Sequence, residues 1–513
     1  MFGYPKHDRT LNGAGQPEDR ETFGWSELID RVPSSAMKSA TLRGLRHLLW
    51  PKRTSGADGA APKPLRPTAY LDGLRGFAAL LVYVHHHQLW AHSLKQMTAF
   101  ENSFGYEGKF HLATLPLIRN FFTGGHMAVA IFYVISGYVL SVKPLSLIHA
   151  GEHLKLFDNL ASAFFRRWFR LYIPLIVTTF VYVTSWHVFN VWNPLCEAKG
   201  TLGEELWNWY IEFKNFSFLY KEGWMWVTFN THLWSIPMEM RGSVITFIAC
   251  IALARATPKA RLLCLAGMVY YFLYVVDGYY CALFMMGMLL CDLDLLAARP
   301  GAYFPRWMRL LEPYKTFIFY HVFLFGMYLG GVPSESQKMD QLRANPGWYW
   351  LSYLKPQAVF DYKWFFLFWA GTMVVASVPR IAWLRRFFEW RFCQFLGRIS
   401  FALYLVHGPI LNIIGDRLYY AVGWVRTEDE KHLPLAHWAN LFPLPKVGPM
   451  GLEVGFLIPN LFLLPFTLWV ADFVTRTVDE PAVRISAWLY RLVQGDGALE
   501  PKPVELAPLT RVE

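Results

Sequence analysis

Charge is what this chain is short of. Only 17% of its 513 residues are Asp, Glu, Lys or Arg, against about 25% in soluble globular proteins. The shortfall argues against a soluble globule. Cysteine is sparse as well. There are six: Cys250, Cys264, Cys281, Cys291 and Cys393 sit in or beside apolar runs, and Cys196 alone lies in a polar loop. No CxxC pair and no Cys/His zinc spacing occurs among them, which excludes a disulfide framework and a sequence-local structural zinc site. The N-terminal stretch has no apolar core, so no cleaved signal peptide is expected. No P-loop, no nucleotide-fold glycine pattern and no GxSxG elbow stands out either.

What the chain has is apolar length. Hydrophobic residues make up 54% and aromatics 17%, with 22 Trp and 26 Tyr, residues that anchor at lipid headgroups. Apolar runs of spanning length recur at 71–90, 120–140, 168–189, 234–254, 262–276, 278–296, 316–332, 364–378, 395–414 and 452–474. Lys and Arg cluster before the first run and after every even-numbered one: Arg43, Arg46, Lys52 and Arg53 in front, Arg166, Arg167 and Arg170 after the second, Arg385, Arg386 and Arg391 after the eighth. Basic loops mark the cytosolic side. The expectation is an all-α polytopic membrane bundle of about ten transmembrane helices with both termini cytosolic. The formal charge of +11 then records those loops and calls for no nucleic acid. Residues 1–67, rich in Gly, Pro and mixed charge, read as a disordered cytosolic tail with an amphipathic stretch near 37–50. Residues 68–486 form the transmembrane domain and 487–513 a cytosolic C-terminal tail.

The first run, "YLDGLRGFAALLVYVHHHQLW", carries three consecutive histidines at membrane depth. Polar groups there are costly and mark function. Arg75 and His86 are eleven positions apart, close to three turns, and so share a helix face about 16 Å apart. Asp72 lies near the same stripe, while His85 and His87 point about 100° to either side. The three rings therefore cannot surround one metal from this helix alone, and no metal site is expected. His86 suits proton transfer, since imidazole titrates near neutrality; the plainer reading is a bond to a neighbouring helix.

Other polar groups recur in order. "AFFRRWFRLYIP" puts Arg167 and Arg170 three apart on one face, a pair of forks suited to phosphate or simply to anchoring. "HLWSIPMEMRGS" holds His232, Glu239 and Arg241 at the outer end of its run, with Glu239 either an acid/base group or half of a helix-pairing ion pair. "AIFYVISGYVLS" carries Ser136, and "LGRISFALYLVHGPI" carries His407, for which packing is the simpler account. "TVDEPAVRI" reads as a helix-ending turn before Pro481.

Taken in order, these segments resemble the membrane-bound acyltransferase-3 family across about 69–486. The most specific match is an Arg followed eleven positions later by a His, here Arg75 and His86. The family's paired arginines fall on Arg167 and Arg170, and the acid of its WS-containing motif falls on Glu239; Met240 and Arg241 depart from its pattern after that acid. The resemblance implies an enzyme that moves an acyl group, commonly acetyl, from cytosolic acyl-CoA to a hydroxyl of a glycan, lipid or secondary metabolite. His86, Arg75 and Glu239 would be catalytic, and Arg75, Arg167, Arg170 and Ser136 would hold the acyl-CoA cosubstrate, with no permanently bound cofactor. Glu239 and His407 would face the acceptor. His86 would act as general base or as a nucleophile forming an acyl-imidazole. Two rivals remain at this stage: a proton-coupled transporter or exporter of a small molecule or lipid-linked product, and a non-catalytic scaffold. The bilayer, the acyl-CoA and a hydroxylated acceptor are the expected partners; plasma membrane and endomembrane both stay open.

Overall fold

The computed structural model describes residues 65–92, 105–106, 109–193, 196, 198–221, 223–333, 338–425 and 435–494. The N-terminal tail up to residue 64, its amphipathic stretch included, lies outside the described residues. A helix covers each of the ten apolar runs. With two further helices, α4 and α12, they are in chain order α1 (Ala69–His92), α2 (Gly125–Ala150), α3 (His153–Val188), α4 (Leu202–Phe216), α5 (Ser235–Ala252), α6 (Pro258–Tyr274), α7 (Tyr279–Ala297), α8 (Lys315–Gly330), α9 (Tyr362–Ser377), α10 (Arg391–Ile410), α11 (Val454–Val474) and α12 (Glu480–Val493). Besides helices, the described residues hold one two-residue antiparallel ladder, Gly105–Tyr106 against Lys109–Phe110.

Local chemistry sets several ends. Thr201 and Glu204 form a reciprocal capping box at the start of α4, satisfying two donors that a helix start leaves open. Thr257 caps α6 ahead of Pro258, the position where a missing N–H costs nothing. Gly151 closes α2 in the left-handed region, φ 73°, where a side chain would be strained.

Among the described residues, six helices are long and apolar enough to cross a membrane: α2, α3, Thr231–Ala252, α7, Arg391–Ala421 and Val454–Val493. A seventh follows if Tyr362–Arg380 and Ala382–Glu389, bent by 94°, make one span. Ten were expected, and the difference has physical causes. Helices α8 and α9 have 16 residues and α6 has 17, about 24–26 Å at 1.5 Å per residue against a core of about 30 Å. Helix α1 is long, but Asp72, Arg75 and its histidines lower its apolarity; it is buried inside the bundle. Helix α3 starts fifteen residues before the apolar run at 168, because 153–167 is amphipathic rather than unstructured.

The "DEP" turn is also corrected. A π-helical turn, Thr475–Asp479, carries α11 straight into α12, with Pro481 in its first turn. Proline cannot continue the α-helical ladder through its own nitrogen, and the wider π turn just ahead of it is where the ladder is interrupted. The helical run therefore continues to Val493.

Helix α1 is the axle. A Cβ on Gly76 would collide with the backbone N of Gly397 on α10, and a Cβ on Gly397 would collide with the carbonyl of Asp72. Glycine at both places lets the two backbones meet, as small residues do between membrane helices. A second tie is fully buried: Arg261 (α6) donates to both oxygens of Asp292 (α7), at 2.7 and 3.0 Å, and His149 (α2) meets Asp292 Oδ1 at 2.7 Å. Large apolar residues such as Phe317, Leu461 and Trp469 are exposed on the outer faces, as a lipid-facing surface requires.

Replacing Gly76 with Leu must separate α1 from α10. Overpacking costs about 1–3 kcal/mol even where neighbours can yield, and here the neighbour is backbone. The purified variant is expected to melt at lower temperature in detergent than a Leu80→Ile control.

Candidate active site

Two polar clusters lie along α1, near its two ends. The first is a cavity of about 190 Å³ walled by Arg75, Arg167, Arg170 and Arg398, by Ser136, Ser235 and Ser400, by Glu239 and Asp479, and by Phe132, Tyr133 and Tyr404 among others. Arg75 donates to Ser400 Oγ (3.1 Å) and to the Gly397 carbonyl (3.2 Å), and lies 3.6 Å from Asp72. Those bonds aim it across the contact between α1 and α10. Arg167 is committed: Nε donates to Ser243 Oγ at 2.9 Å, and Nη2 pairs with Glu239, whose carboxylate also accepts from Ser136 Oγ at 2.6 Å. Arg398 pairs with Asp472. Arg170, among the described residues, has no hydrogen bond or close ion pair; Asp479 in the same wall is the acid whose charge reaches it, and its fork can still take an anion.

The structure thus gathers Arg75, Arg167, Arg170, Ser136 and Glu239 into one cavity. Glu239 stands beside the arginines rather than on the histidine side. Arg241 turns away and donates to the Phe218 and Lys221 carbonyls at 3.2 and 2.9 Å. Arg398 and Asp479 join the cavity without having been singled out for it.

The second cluster is three histidines from three helices. His86 of α1 meets His232, in the 3-10 turn Thr231–Trp234 that leads into α5, with ring centroids 4.1 Å apart; His407 of α10 lies 5.1 Å from His86 and 4.9 Å from His232. One nitrogen from each lies within 4.8 Å of the other two. His86 Nδ1 is 2.9 Å from the Val82 carbonyl, and His407 Nδ1 is 2.8 Å from that of Tyr404. A carbonyl only accepts, so both Nδ1 atoms carry the proton and both Nε2 atoms keep a lone pair. The other two histidines of α1 go elsewhere. His87 is buried against the Tyr419 hydroxyl at 2.7 Å. His85 packs on Gly125 and His126 and lines a small separate cavity with Arg119 and Lys363.

Tyr404 separates the two clusters. It forms part of the cavity wall, while its hydroxyl donates to the His232 carbonyl and meets Ser235 Oγ at 2.8 Å. His86 is not among the cavity's lining residues. Cys196, the one cysteine in a polar loop, is no alternative nucleophile: burial pushes its thiol up to about 12, leaving little thiolate near neutrality.

The comparisons with known proteins bear on this arrangement. The family model described as an acyltransferase domain matches residues 68–476, most of the chain and every residue of both clusters except Asp479. The chain belongs to the acyltransferase-3 family. It is 28% identical over 490 residues to the O-acetyltransferase PaAT-1 of Phomopsis amygdali, covering 84% of this chain and 86% of that one. It is 22% identical to acyltransferase clz18 of Cochliobolus lunatus and 22% to acyltransferase R4 of a Phoma species, covering 84% of this chain and 96% and 97% of theirs. No solved structure matches. With its apolar helices, this acyltransferase-3 member is a multi-pass membrane transferase.

The weight of the Arg167–Glu239 pair is testable. Both side chains are 14% exposed, and removing one partner of such a pair typically costs about 3–5 kcal/mol by leaving a charge without compensation. Arg167→Met alone is expected to lower the melting temperature in detergent more than Arg167→Met combined with Glu239→Leu does. Equal losses would show that the pair carries no such cost.

Proposed function

We propose that the protein moves an acyl group, acetyl in the first instance, from acyl-CoA to a hydroxyl of a carbohydrate, lipid or secondary metabolite. The observation that carries this reading is the pairing, along one helix, of a guanidinium-walled cavity at Arg75 with the lone pair of His86 eleven residues away. CoA brings phosphates, and guanidinium forks take phosphate in charge-assisted bonds. Arg170 is the primary anchor, since it is uncommitted; Arg75 and Arg167 flank it, and Ser136 holds Glu239 in place. The pantetheine arm then runs along α1, a path of about 16 Å, and passes Tyr404, which turns aside.

At His86 the atoms balance without a further reagent. Nε2 takes the proton of the acceptor hydroxyl, the oxygen attacks the thioester carbonyl, the C–S bond breaks, and the imidazolium returns the proton to the leaving thiolate. The Nδ1–H held by Val82 fixes the tautomer that makes Nε2 the base. The PaAT-1 likeness supports acetyl and oxygen as donor group and acceptor atom. In this reading the chain crosses the bilayer ten times with both termini cytosolic, as the basic loops indicate, which puts the arginine cavity on the side where acyl-CoA is found.

The test uses purified protein with radiolabelled acetyl-CoA and a panel of hydroxylated metabolites and glycans, following thiol release and product mass. His86→Ala is expected to lose about 10²–10⁴-fold in kcat while eluting as folded protein. Arg170→Ala is expected to raise KM for acyl-CoA about tenfold or more, the worth of one charge-assisted bond, with a smaller change in kcat. Undiminished transfer by His86→Ala removes that residue from the chemistry. Substrate flux across proteoliposomes without thiol release would return the transporter reading.

A further inference from the structure

The three-histidine cluster has a property that base catalysis does not use. His232 Nδ1 lies 3.3 Å from Asn230 Oδ1, and Asn230 Nδ2 is already spent on the Leu405 carbonyl at 3.2 Å. That fixes which amide atom is the oxygen, so His232 donates through Nδ1. All three imidazoles are therefore held in the same tautomer, each Nδ1–H on an oxygen and each Nε2 a lone pair. The sole hydrogen-bond partner that the described residues bring to any of these lone pairs is His86 itself, whose Nδ1 lies 3.3 Å from His407 Nε2 while also serving Val82. Three neutral acceptors drawn together by three separate helices call for something electropositive. Imidazoles oriented through a backbone or amide oxygen at the other ring nitrogen are also the usual form of metal-binding histidine.

We propose that His86, His232 and His407 form a binding site for a divalent transition-metal cation of the zinc type. Three neutral nitrogens suit zinc, copper, nickel or cobalt rather than calcium or magnesium, which take oxygen. Three protein ligands also leave a fourth position open. One nitrogen of each ring lies within 4.8 Å of the other two; His86 faces His407 through Nδ1, so seating the metal turns the His86 ring about its side-chain bonds until its Nε2 joins the set. The site itself rests on geometry alone. Its consequence rests on the proposed function: a ligated His86 has no lone pair for a hydroxyl proton, so the occupied protein is the inactive form and the metal an inhibitor.

The experiment titrates chelator-stripped full-length protein in detergent with Co²⁺, read by visible ligand-field absorption, and with Zn²⁺, read calorimetrically. One saturable site per chain is expected. His232→Ala and His407→Ala are expected to weaken it about tenfold or more, while His321→Ala, on the exposed face of α8, leaves it unchanged. His407→Gln, which keeps volume and polarity, serves as the second variant should the alanine exchange fail to fold. Absence of saturable binding, or binding that survives both exchanges, overturns the site. Acyl transfer followed on the same samples separates the two claims. Transfer by the stripped protein that falls as metal is added supports both. Transfer that needs the metal would leave the site standing and overturn His86 as the free base.

Discussion

Ionisable groups buried inside a helix bundle must find partners there, and this constraint arranges the structure. An isolated charge in hydrocarbon is costly enough that such groups face inward and pair. Arg261 and Asp292 are fully buried and bonded to each other across α6 and α7, with His149 closing the set from α2. Arg167 and Glu239 join α3 to α5 in the same way. Arg75 satisfies itself on α10. Each pairing fixes the register of two helices, and of the four guanidiniums in the cavity wall they leave that of Arg170 with no hydrogen bond or ion pair, Asp479 being the acid whose charge reaches it. The bonds that hold the bundle together thus single out where an anion fits.

The histidines follow the same logic with neutral groups. Because Nδ1 of His86 and His407 is spent on the carbonyls of their own helices, the rings are locked in orientation and the reactive nitrogen is left over rather than buried in a bond. Close contact between α1 and α10, made possible by Gly76 and Gly397, brings His86 and His407 to the same depth. The 3-10 turn before α5 delivers His232 as the third wall. Tyr404, bonded to the carbonyl of that turn, ties this cluster to the wall of the arginine cavity.

Much of this was legible in the residues. The eleven-residue spacing of Arg75 and His86 placed both on one face because helix geometry is regular, and the arginine pair announced itself by its i,i+3 repeat. The partners were not legible. Nothing local in "THLWS" or "LYLVHGPI" says that His232 and His407 converge on His86; only a histidine inside an apolar run hinted at it. The residues alone also do not show that Arg167 and Ser136 are the partners of Glu239, which was expected on the acceptor side. Of the ten expected spans, length and composition alone bear out six or seven among the described residues, because the runs of 15–17 apolar residues form short helices and α1 carries charged and histidine side chains. The π-helical turn at Thr475–Asp479 was hidden behind Pro481, whose usual meaning is a helix end.

The central claim is that an acyl donor anchored on the arginines can present its thioester to His86. The most direct measurement is an electron cryo-microscopy map of the protein with a non-hydrolysable acyl-CoA bound. The account predicts phosphate density on Arg170 and Arg75, Tyr404 displaced from the His232 carbonyl, and the carbonyl of the donor beside His86 Nε2. Density for the acyl group ending short of an unmoved Tyr404, or anchored away from these arginines, would contradict it.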